Sequence, residues 1–573
     1  MSRDETVTSG ISQRDPEWRD AASQTESLFA EALEKLFATL SPVCDGRLLR
    51  AREALQNGRV EQASRIAAKV LARHPDDTDV LDLMAAIASY EGRQEESESL
   101  LARCVREKPH NRVYRYNFSL LLLYHGKIDE ALEETTTLLA SDSGNPLFQK
   151  CYAALLCRKR EFADAAACYR RLAEDHPECP EFWSLLASTL RSMGGHSQDA
   201  VDAWRKAAAL APGMGTIWWS LASMKTFAFS QEDVDVMEHQ LSRPAMSGQH
   251  RADLHFALGK AHGDVCNFEK SFQHYSRGNA IRRIDLRYDP RDTTDMVARA
   301  EAVFSPELFR KYSGAGHPSN EPIFVLGLQR AGSTLTEQIL GSHSQIEGAG
   351  ELQSILRIVG EDVMPQSGPD YPNGMNRLAA EDLRAMGEKY LQLSNVHRVH
   401  GKPLFVDKCP FNLWHVGLIH LIFPDARIID VRRHPIGCCL ANFTMSFAHA
   451  PPVSYRLTDI GLFYRDYVRL MDHFDRVLPG KIHRVIYERL VADIEGEVRS
   501  LLDFIGVPFE PGCLEFHKSA RAFNSFSNEQ VRRPIFTETV DWWRNYEPWL
   551  EPLKASLGPA LDTYAGAITP LQQ

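Results

Sequence analysis

Glycine recurs at a fixed interval in the first half of the chain. Multiples of 34 residues separate Gly58, Gly92, Gly126 and Gly194, and Arg160 occupies the one step at which glycine is absent. Each of these positions lies between two segments with helical apolar spacing, and a proline follows near the end of most second segments. A repeated helix, turn and helix predicts a stack of hairpins, because a single hairpin cannot bury its own apolar face.

A period of 34 residues is that of tetratricopeptide repeats. About five units lie between residues 46 and 225, and a further unit spans 255–283 after the broken stretch "SRPAMSGQH". We therefore predict an α-solenoid over residues 41–290, preceded by a flexible segment, residues 1–40, that could include one helix. Such a solenoid is either a structural spacer or a concave groove that binds a peptide or protein partner.

Bulk composition excludes several classes of protein. The chain has 573 residues, a formal net charge of −11 and 44% hydrophobic residues, so we expect a multidomain globular protein without nucleic-acid or membrane-surface binding. The eleven cysteines form no CxxC pair and no Cys/His cluster at zinc spacing, which predicts neither disulfides nor a metal site. No apolar run is long enough to span a bilayer, and the first residues lack an apolar signal segment, so a cytoplasmic location is expected.

The pattern changes at about residue 320. Short apolar runs, "PIFVLGL", "PLFVDK", "ARIIDV" and "HRVIYE", alternate with helical segments at 333–341, 411–422, 459–476 and 494–505. Strands separated by helices predict a parallel sheet covered by helices on both faces. Ligands of such sheets bind beyond the carboxyl ends of the strands.

One strand end has the layout of a phosphate-binding loop. In "PIFVLGLQRAGSTLTEQIL", residues 322–340, a buried strand leads through a glycine-bearing turn into a helix. Gly327 and Gly332 have the spacing of a loop that binds nucleoside triphosphates, but Ser333 stands where that loop has its lysine. Backbone amide groups at the turn and the fixed positive charge of Arg330 would still suit an anion. The loop therefore predicts a site for a tetrahedral, phosphate-like anion that needs no metal.

Two further strand ends carry cations. "VDKCPFN" places Lys408 at one, and "IIDVRRHP" places Arg432 and Arg433 at the next. Because the carboxyl ends of parallel strands meet at one edge of the sheet, three such ends predict an anion-binding cleft.

Taken in this order, "LQRAGST", "DKCPFN", "VRRHP" and "YERLVADIEGEVRSLLDFIGVPFE" resemble the sulfotransferases. The similarity is greatest to the bacterial branch that joins tetratricopeptide repeats to a sulfotransferase domain related to protein-tyrosine sulfotransferases, and it covers about residues 320–555. It implies an α + α/β fold: the repeat solenoid, a linker at 291–319, and a P-loop-like α/β domain with a central parallel sheet at 320–573. The implied reaction moves the sulfuryl group of 3′-phosphoadenylyl sulfate (PAPS) to an acceptor hydroxyl or amine.

The resemblance also implies which residues bind this donor. The 5′-phosphosulfate would be held by Arg330, Ala331, Gly332, Ser333 and Thr334. Arg433 would hold the 3′-phosphate. The family usually has a serine eight residues after this arginine, and Ala441 takes its place here, so Asn442 or Arg432 would have to substitute.

Catalytic roles follow from the same resemblance. Glu351, twenty-one residues after Arg330, matches the glutamate that takes the acceptor's proton; its alternative role is to stabilise the first turn of a helix. Lys408 and Arg330 would stabilise negative charge in the transition state. Three further residues correspond to parts that close over the nucleotide in relatives: Tyr487, Ser527 and Arg533.

We therefore expect a PAPS-dependent sulfotransferase that uses no metal, with a protein, peptide or small molecule as acceptor and repeats that recruit the acceptor or another protein. The resemblance favours a tyrosine in a protein. The aromatic stretch "DWWRNYEPWL" is either an acceptor site or, as we predict, packing against the sheet. One alternative is a non-catalytic scaffold whose α/β domain senses nucleotide, which Ala441 favours. Another is a phosphoryl-transfer enzyme, which Ser333 disfavours.

Overall fold

The computed structural model describes residues 46–568 apart from several short gaps, at 58, 225–226, 245, 285, 287, 368–370, 447–451, 519–534 and 536–539. The predicted N-terminal segment, Ser527 and Arg533 therefore lie outside the described residues. Contacts divide the chain into two compact units, one within residues 22–212 and one containing the residues from 213 onward.

The first unit is a series of antiparallel helix pairs. Its helices are α1 (Gly46–Gln56), α2 (Val60–Leu71), α3 (Thr78–Tyr90), α4 (Gln94–Glu107), α5 (Arg112–Tyr124), α6 (Ile128–Ser141), α7 (Pro146–Arg158), α8 (Phe162–Asp175), α9 (Pro180–Met193) and α10 (Ser197–Leu210). Small residues lie fully buried where paired helices approach, as Ala131 and Ala165 do. The repeat predicted from the glycine period is confirmed.

The period marks backbone positions with positive φ. Gly92, Gly126 and Gly194 have φ values of 75°, 76° and 72°, and Arg160 adopts the same left-handed conformation with φ of 63°. Glycine reaches this region without steric cost, whereas a side chain crowds the backbone there. The geometry of the repeat therefore imposes a left-handed backbone on Arg160, although arginine favours negative φ values.

The second unit begins with further helices, α11 (Gly215–Ser223), α12 (Gln231–Leu241), α13 (Gly248–Asp264), α14 (Phe268–Arg283), α15 (Pro290–Val303) and α16 (Pro306–Lys311). Strands and helices then alternate: β1 (Pro322–Leu326), α17 (Ser333–Gly341), β2 (Ile346–Gly350), α18 (Ser354–Ile358), α19 (Met364–Ser367), α20 (Ala380–Asn395), β3 (Leu404–Lys408), α21 (Val416–Ile422), β4 (Arg427–Arg432), α22 (Pro435–Phe443), α23 (Leu457–Val477), β5 (Ile482–Ile486), α24 (Tyr487–Ala492), α25 (Ile494–Ile505), α26 (Glu551–Leu557) and α27 (Ala560–Ile568).

The five described strands form one sheet in the order β2-β3-β1-β4-β5, and every pairing is parallel. Strands β1 and β3 are buried along their whole length, as expected for a sheet covered on both faces. The predicted fold class is confirmed. Strand β2 was not predicted, because "IEGAG" has no continuous apolar run.

The helices that precede the sheet pack on the α/β elements of the same unit. Asn279 of α14 donates a hydrogen bond to the Phe443 carbonyl at 2.8 Å, and Ser271 is hydrogen-bonded to the Tyr546 hydroxyl at 2.9 Å. Thr294 of α15 donates to Asp466 of α23 at 2.5 Å. Sequence patterns put a solenoid boundary at 290 and a linker at 291–319, and these domain bounds stay a prediction; α15 and α16 lie within residues 290–311.

Among the described helices, none combines the length and apolar character needed to cross a bilayer.

Candidate active site

The loop between β1 and α17 has an unusual backbone. Gly327, Arg330 and Gly332 have φ values of 135°, 68° and 112°. A non-glycine residue with positive φ is uncommon and costs free energy unless its surroundings impose it. Arg330 is therefore held in a strained conformation within the loop that was predicted to bind an anion.

Close packing explains both glycines. A Cβ atom at Gly327 would lie 2.3 Å from the carbonyl oxygen of Val431, on the neighbouring strand β4. At Gly332 it would lie 2.8 Å from Cδ2 of Tyr487, the first residue of α24. The loop is thus confined between β4 and the Tyr487 ring.

Helix α17 begins immediately after the loop and has Gly332 as its N-cap residue, without a side-chain cap. The backbone amide groups of a helix's first turn have no partners within the helix and, with the helix dipole, favour a bound anion. Ser333 and Thr334 lie buried in this first turn. The amide of Ala331, by contrast, donates to the Leu328 carbonyl at 3.1 Å within the loop.

Two guanidinium groups lie together at this loop. Arg433 follows β4, and its Nη1 donates to the Arg330 carbonyl at 3.5 Å. Burial, and then the positive charge of Arg433, lower the pKa of Arg330 to about 10. Two cations held this closely repel each other, and a bound anion would relieve that repulsion.

Tyr487 links the loop to Arg433, because the guanidinium carbon of Arg433 lies 5.0 Å from the centroid of the Tyr487 ring. Tyr464 of α23 fixes the Arg433 backbone by donating its hydroxyl to the Arg433 carbonyl at 3.0 Å. Glu488, beside Tyr487, accepts from the His434 amide at 3.0 Å and also receives the Tyr564 hydroxyl. Tyr464 and Glu488 were not singled out from the sequence, since nothing in their local pattern separates them from packing residues.

The unpredicted strand β2 places Glu351 next to Lys408. Strand β2 pairs with β3, with a register shift between Gly348 and Gly350, so the residue after β2 reaches the end of β3. Lys408 Nζ donates to Glu351 Oε1. The side chain of Lys408 is 4% exposed and that of Glu351 is 33% exposed, so the ammonium is enclosed while the carboxylate is partly open to solvent.

Lys408 stays charged in this enclosed position. Burial alone would lower its pKa, but the carboxylates of Glu351 and Glu337 outweigh burial and raise it. The pair is therefore a stable ammonium beside an accessible carboxylate.

Asp407 supports both members of this pair. It accepts hydrogen bonds from the Leu352 amide at 3.4 Å, the Tyr390 hydroxyl at 2.8 Å and Nδ2 of Asn412 at 3.3 Å. These contacts tie the segment after Glu351 to β3 and to the turn that follows Lys408. Sequence reasoning missed Asp407, although an acid in an otherwise apolar strand is a signal that could have identified it.

The two residues proposed to replace the missing serine at Ala441 have other partners. Asn442 donates Nδ2 to the Gln329 carbonyl at 2.7 Å and to the Cys438 carbonyl at 2.9 Å, which fixes the loop. Arg432 donates Nε to Asp430 at 2.8 Å; burial lowers the pKa of Arg432, but Asp430 and neighbouring acidic groups together raise it. Both therefore have structural partners, and Arg433 is the cation that joins the loop.

The aromatic stretch at 541–550 contacts α14 and the residue that precedes α22, and its expected packing against the sheet stays a prediction. Trp543 stacks on His434 with ring centroids 4.8 Å apart, and Trp549 stacks on Phe272 of α14 at 5.5 Å. Tyr546 is fully buried. The stretch has a packing role and covers the segment that follows β4.

The structure thus combines a parallel sheet, a glycine-bearing loop after β1 with Arg330 and Arg433 beside it, and a carboxylate–ammonium pair at neighbouring strand ends. Comparison with known proteins identifies its family. Residues 322–511 match the family model described as "Sulfotransferase family", and residues 122–189 match a tetratricopeptide-repeat model. The chain thus carries tetratricopeptide repeats and a domain of the sulfotransferase family.

The chain is also similar to individual proteins. An uncharacterized protein of Aquifex aeolicus is 28% identical over 531 residues, covering 89% of this chain and 67% of that protein. A putative protein-tyrosine sulfotransferase of Caenorhabditis briggsae is 23% identical over 231 residues, covering 39% of this chain and 80% of that protein. A solved sulfotransferase domain from the olefin synthase of Synechococcus PCC 7002 aligns at 21% identity over 44% of this chain and 96% of that domain, with a TM-score of 0.34.

Proposed function

We propose that the protein transfers the sulfuryl group of PAPS to an acceptor hydroxyl or amine. The observation that carries this proposal is the contact between Lys408 and Glu351 at adjacent strand ends of a sulfotransferase-family domain. This arrangement supplies a base and a positive charge at the same edge of the sheet.

The residues present suit this donor. The donor has a phosphosulfate at its 5′ end and a phosphate at its 3′ position, so it needs two anion contacts. Gly332 has no side chain to cover the backbone of the loop, and the first turn of α17 supplies amide groups. In this proposal Arg330, Ser333 and Thr334 hold the 5′ end, Arg433 holds the 3′-phosphate, and the Tyr487 ring lies beside it.

When bound, the donor supplies an activated sulfuryl group on a good leaving group. As the acceptor oxygen forms its bond to sulfur, Glu351 takes the acceptor's proton, which raises the nucleophilicity of that oxygen. Lys408 and Arg330 offset the negative charge that builds up on the oxygen bridging sulfur and phosphorus as that bond breaks. The proton ends on Glu351, the sulfuryl group on the acceptor, and adenosine 3′,5′-bisphosphate leaves; the proposed reaction has no metal step.

For the acceptor, we propose a tyrosine in a protein or peptide, because three of the relatives are named as protein-tyrosine sulfotransferases, one of them as putative. The repeats of the first unit would recruit that acceptor or another protein, since stacked repeats present an extended surface. Ser527 and Arg533, which lie outside the described residues, are proposed to bind the donor.

The test measures transfer of labelled sulfate from PAPS to a panel of tyrosine peptides, carbohydrates and small phenols. Glu351→Gln keeps the size of the side chain but removes the base, and we expect transfer to fall by about 100-fold or more. Affinity for adenosine 3′,5′-bisphosphate, measured by calorimetry, should remain within about threefold of wild type. Glu388→Gln, on the exposed face of α20, is the matched control and should leave both quantities unchanged.

Two results would contradict the proposal. Equal transfer by wild type and Glu351→Gln would show that Glu351 is not the base. Stabilisation of the protein by ATP alone, with none by the bisphosphate, would point to a phosphoryl-transfer or nucleotide-sensing domain.

A further inference from the structure

A cluster of imidazoles lies among the helices that precede the sheet. His262 of α13 and His274 of α14 stack with ring centroids 5.4 Å apart, and Glu238 of α12 lies beside them. One ligand atom from each of these three residues lies within 4.8 Å of the other two. Three separate helices thus contribute a possible metal ligand to one point.

His262 has an unusual environment. His262 is 8% exposed, and its Nε2 atom is buried without a hydrogen-bond partner among the described residues. A buried imidazole nitrogen without a partner costs free energy comparable to a lost hydrogen bond. A metal ion is one ligand that would satisfy this nitrogen.

His255 completes the arrangement. It lies seven residues before His262 on the same face of α13, and its Nδ1 lies 3.0 Å from Nδ1 of His274. Two ring nitrogens at this distance share one proton, so His274 can donate its Nδ1–H to His255 and present Nε2 to a metal. Hydrogen bonding through the second nitrogen is how proteins commonly orient a metal-bound histidine.

We propose that His262, His274 and Glu238 bind a divalent transition-metal ion, with zinc as the best-suited ion and His255 as the residue that orients His274. Two imidazoles and one carboxylate are a known zinc ligand set, which leaves a fourth position for water. Zinc–nitrogen bonds of about 2.1 Å in tetrahedral geometry require ligand atoms about 3.4 Å apart. The present separations are at most 4.8 Å and would need to contract by no more than about 1.4 Å, and the exposed Glu238 side chain can move toward the two imidazoles.

The spacing of these residues along the chain conceals the site. They are separated by 24 and 12 positions and resemble no zinc motif, so the sequence predicted no metal site. Folding brings them together because α12, α13 and α14 pack as neighbours.

Such a site would use none of the residues to which the proposed chemistry belongs, Glu351 and Lys408. Helix α14 contacts the α/β elements through Ser271 and Asn279. A metal that joins α14 to α12 and α13 would therefore fix the position of α14, the helix against which α22 and the aromatic stretch at 541–550 pack.

The test uses tag-free full-length protein treated with a chelator and then titrated with Zn²⁺ by calorimetry. We expect one equivalent to bind to wild type. His262→Ala and His274→Ala should each weaken binding by at least about 100-fold, and Glu238→Gln by about 10-fold. His239→Ala, which removes an exposed imidazole next to Glu238, is the matched control and should bind as wild type does.

Co²⁺ provides a second readout, because a four-coordinate Co²⁺ site gives strong visible absorption that His262→Ala should abolish. Binding of adenosine 3′,5′-bisphosphate by each variant checks that the second unit is still folded. Absence of a stoichiometric Zn²⁺ site in wild type would overturn the proposal. So would Zn²⁺ affinity that survives in the double variant of His262 and His274, or that falls equally in His239→Ala.

Discussion

Asp407 gives the sharpest quantitative prediction. It is fully buried in β3, and burial raises its pKa from 3.8 to about 7, although the hydrogen bonds from Tyr390, Leu352 and Asn412 act in the opposite direction. A shift of about three units corresponds to about 4 kcal/mol, at about 1.36 kcal/mol for each unit. A buried acid next to the proposed catalytic lysine should therefore make the sheet's stability depend strongly on pH.

The sign follows from proton binding. Between pH 4 and pH 7 the folded protein retains the Asp407 proton, whereas the unfolded chain has lost it. The free energy of unfolding should therefore fall as pH rises through this window, and level off above pH 7. Asp407→Asn cannot titrate but still offers an oxygen to the Tyr390 hydroxyl, so its pH dependence should be weaker by up to about 4 kcal/mol across the window.

Native-state hydrogen exchange, measured by mass spectrometry on peptides from β1 and β3, isolates the stability of the sheet from that of the repeats. Rates are corrected for the intrinsic effect of pH and compared between pH 5 and pH 8. Asp503→Asn removes an exposed carboxylate on α25 and should retain the wild-type profile. Identical pH profiles for wild type and Asp407→Asn would refute the reasoning.

Three further outcomes are expected. Arg433→Ala should abolish the preference for adenosine 3′,5′-bisphosphate over 5′-AMP in calorimetry, whereas the exposed Arg384→Ala should keep it; an equal loss of affinity for both ligands would remove Arg433 from the 3′-phosphate site. Gly332→Ala should weaken bisphosphate binding by at least about tenfold, because the new Cβ would lie 2.8 Å from the Tyr487 ring and the φ of 112° at this position is strained for alanine. Unchanged affinity would show that the loop can shift. Arg160→Gly should stabilise the repeats by about 1 kcal/mol in chemical denaturation, because φ is 63° there; a loss of stability would mean that contacts of the arginine side chain outweigh the backbone strain.

The repeats could be predicted from sequence because each turn needs a left-handed residue, which selects glycine at a constant interval. Arg160 shows the limit of that signal. Its turn has the same geometry as the glycine turns, so the repeat was recognised from its neighbours and not from this residue. Strands β1, β3, β4 and β5 were also predictable, since each is an apolar run.

Strand β2 and the site that depends on it were harder to predict. The small residues of "IEGAG" gave no strand signal, so Glu351 could be chosen only through the resemblance to a family. Its proximity to Lys408 depends on pairing between β2 and β3, which is a long-range contact. The support from Asp407 and the cluster at His262 likewise depend on tertiary contacts that no local pattern encodes.

The strand order has a consequence for how such a protein can change. Strand β1 lies at the centre of the sheet, with Glu351 and Lys408 on its β2–β3 side and Arg433 and Tyr487 on its β4–β5 side. Under the proposed function, the residues that contact the acceptor and the residues that bind the 3′-phosphate of the nucleotide thus lie on opposite sides of β1. Substitutions on the β2–β3 side can change the acceptor while the β4–β5 side continues to bind the same donor. Related proteins can therefore differ in acceptor specificity and keep one donor site.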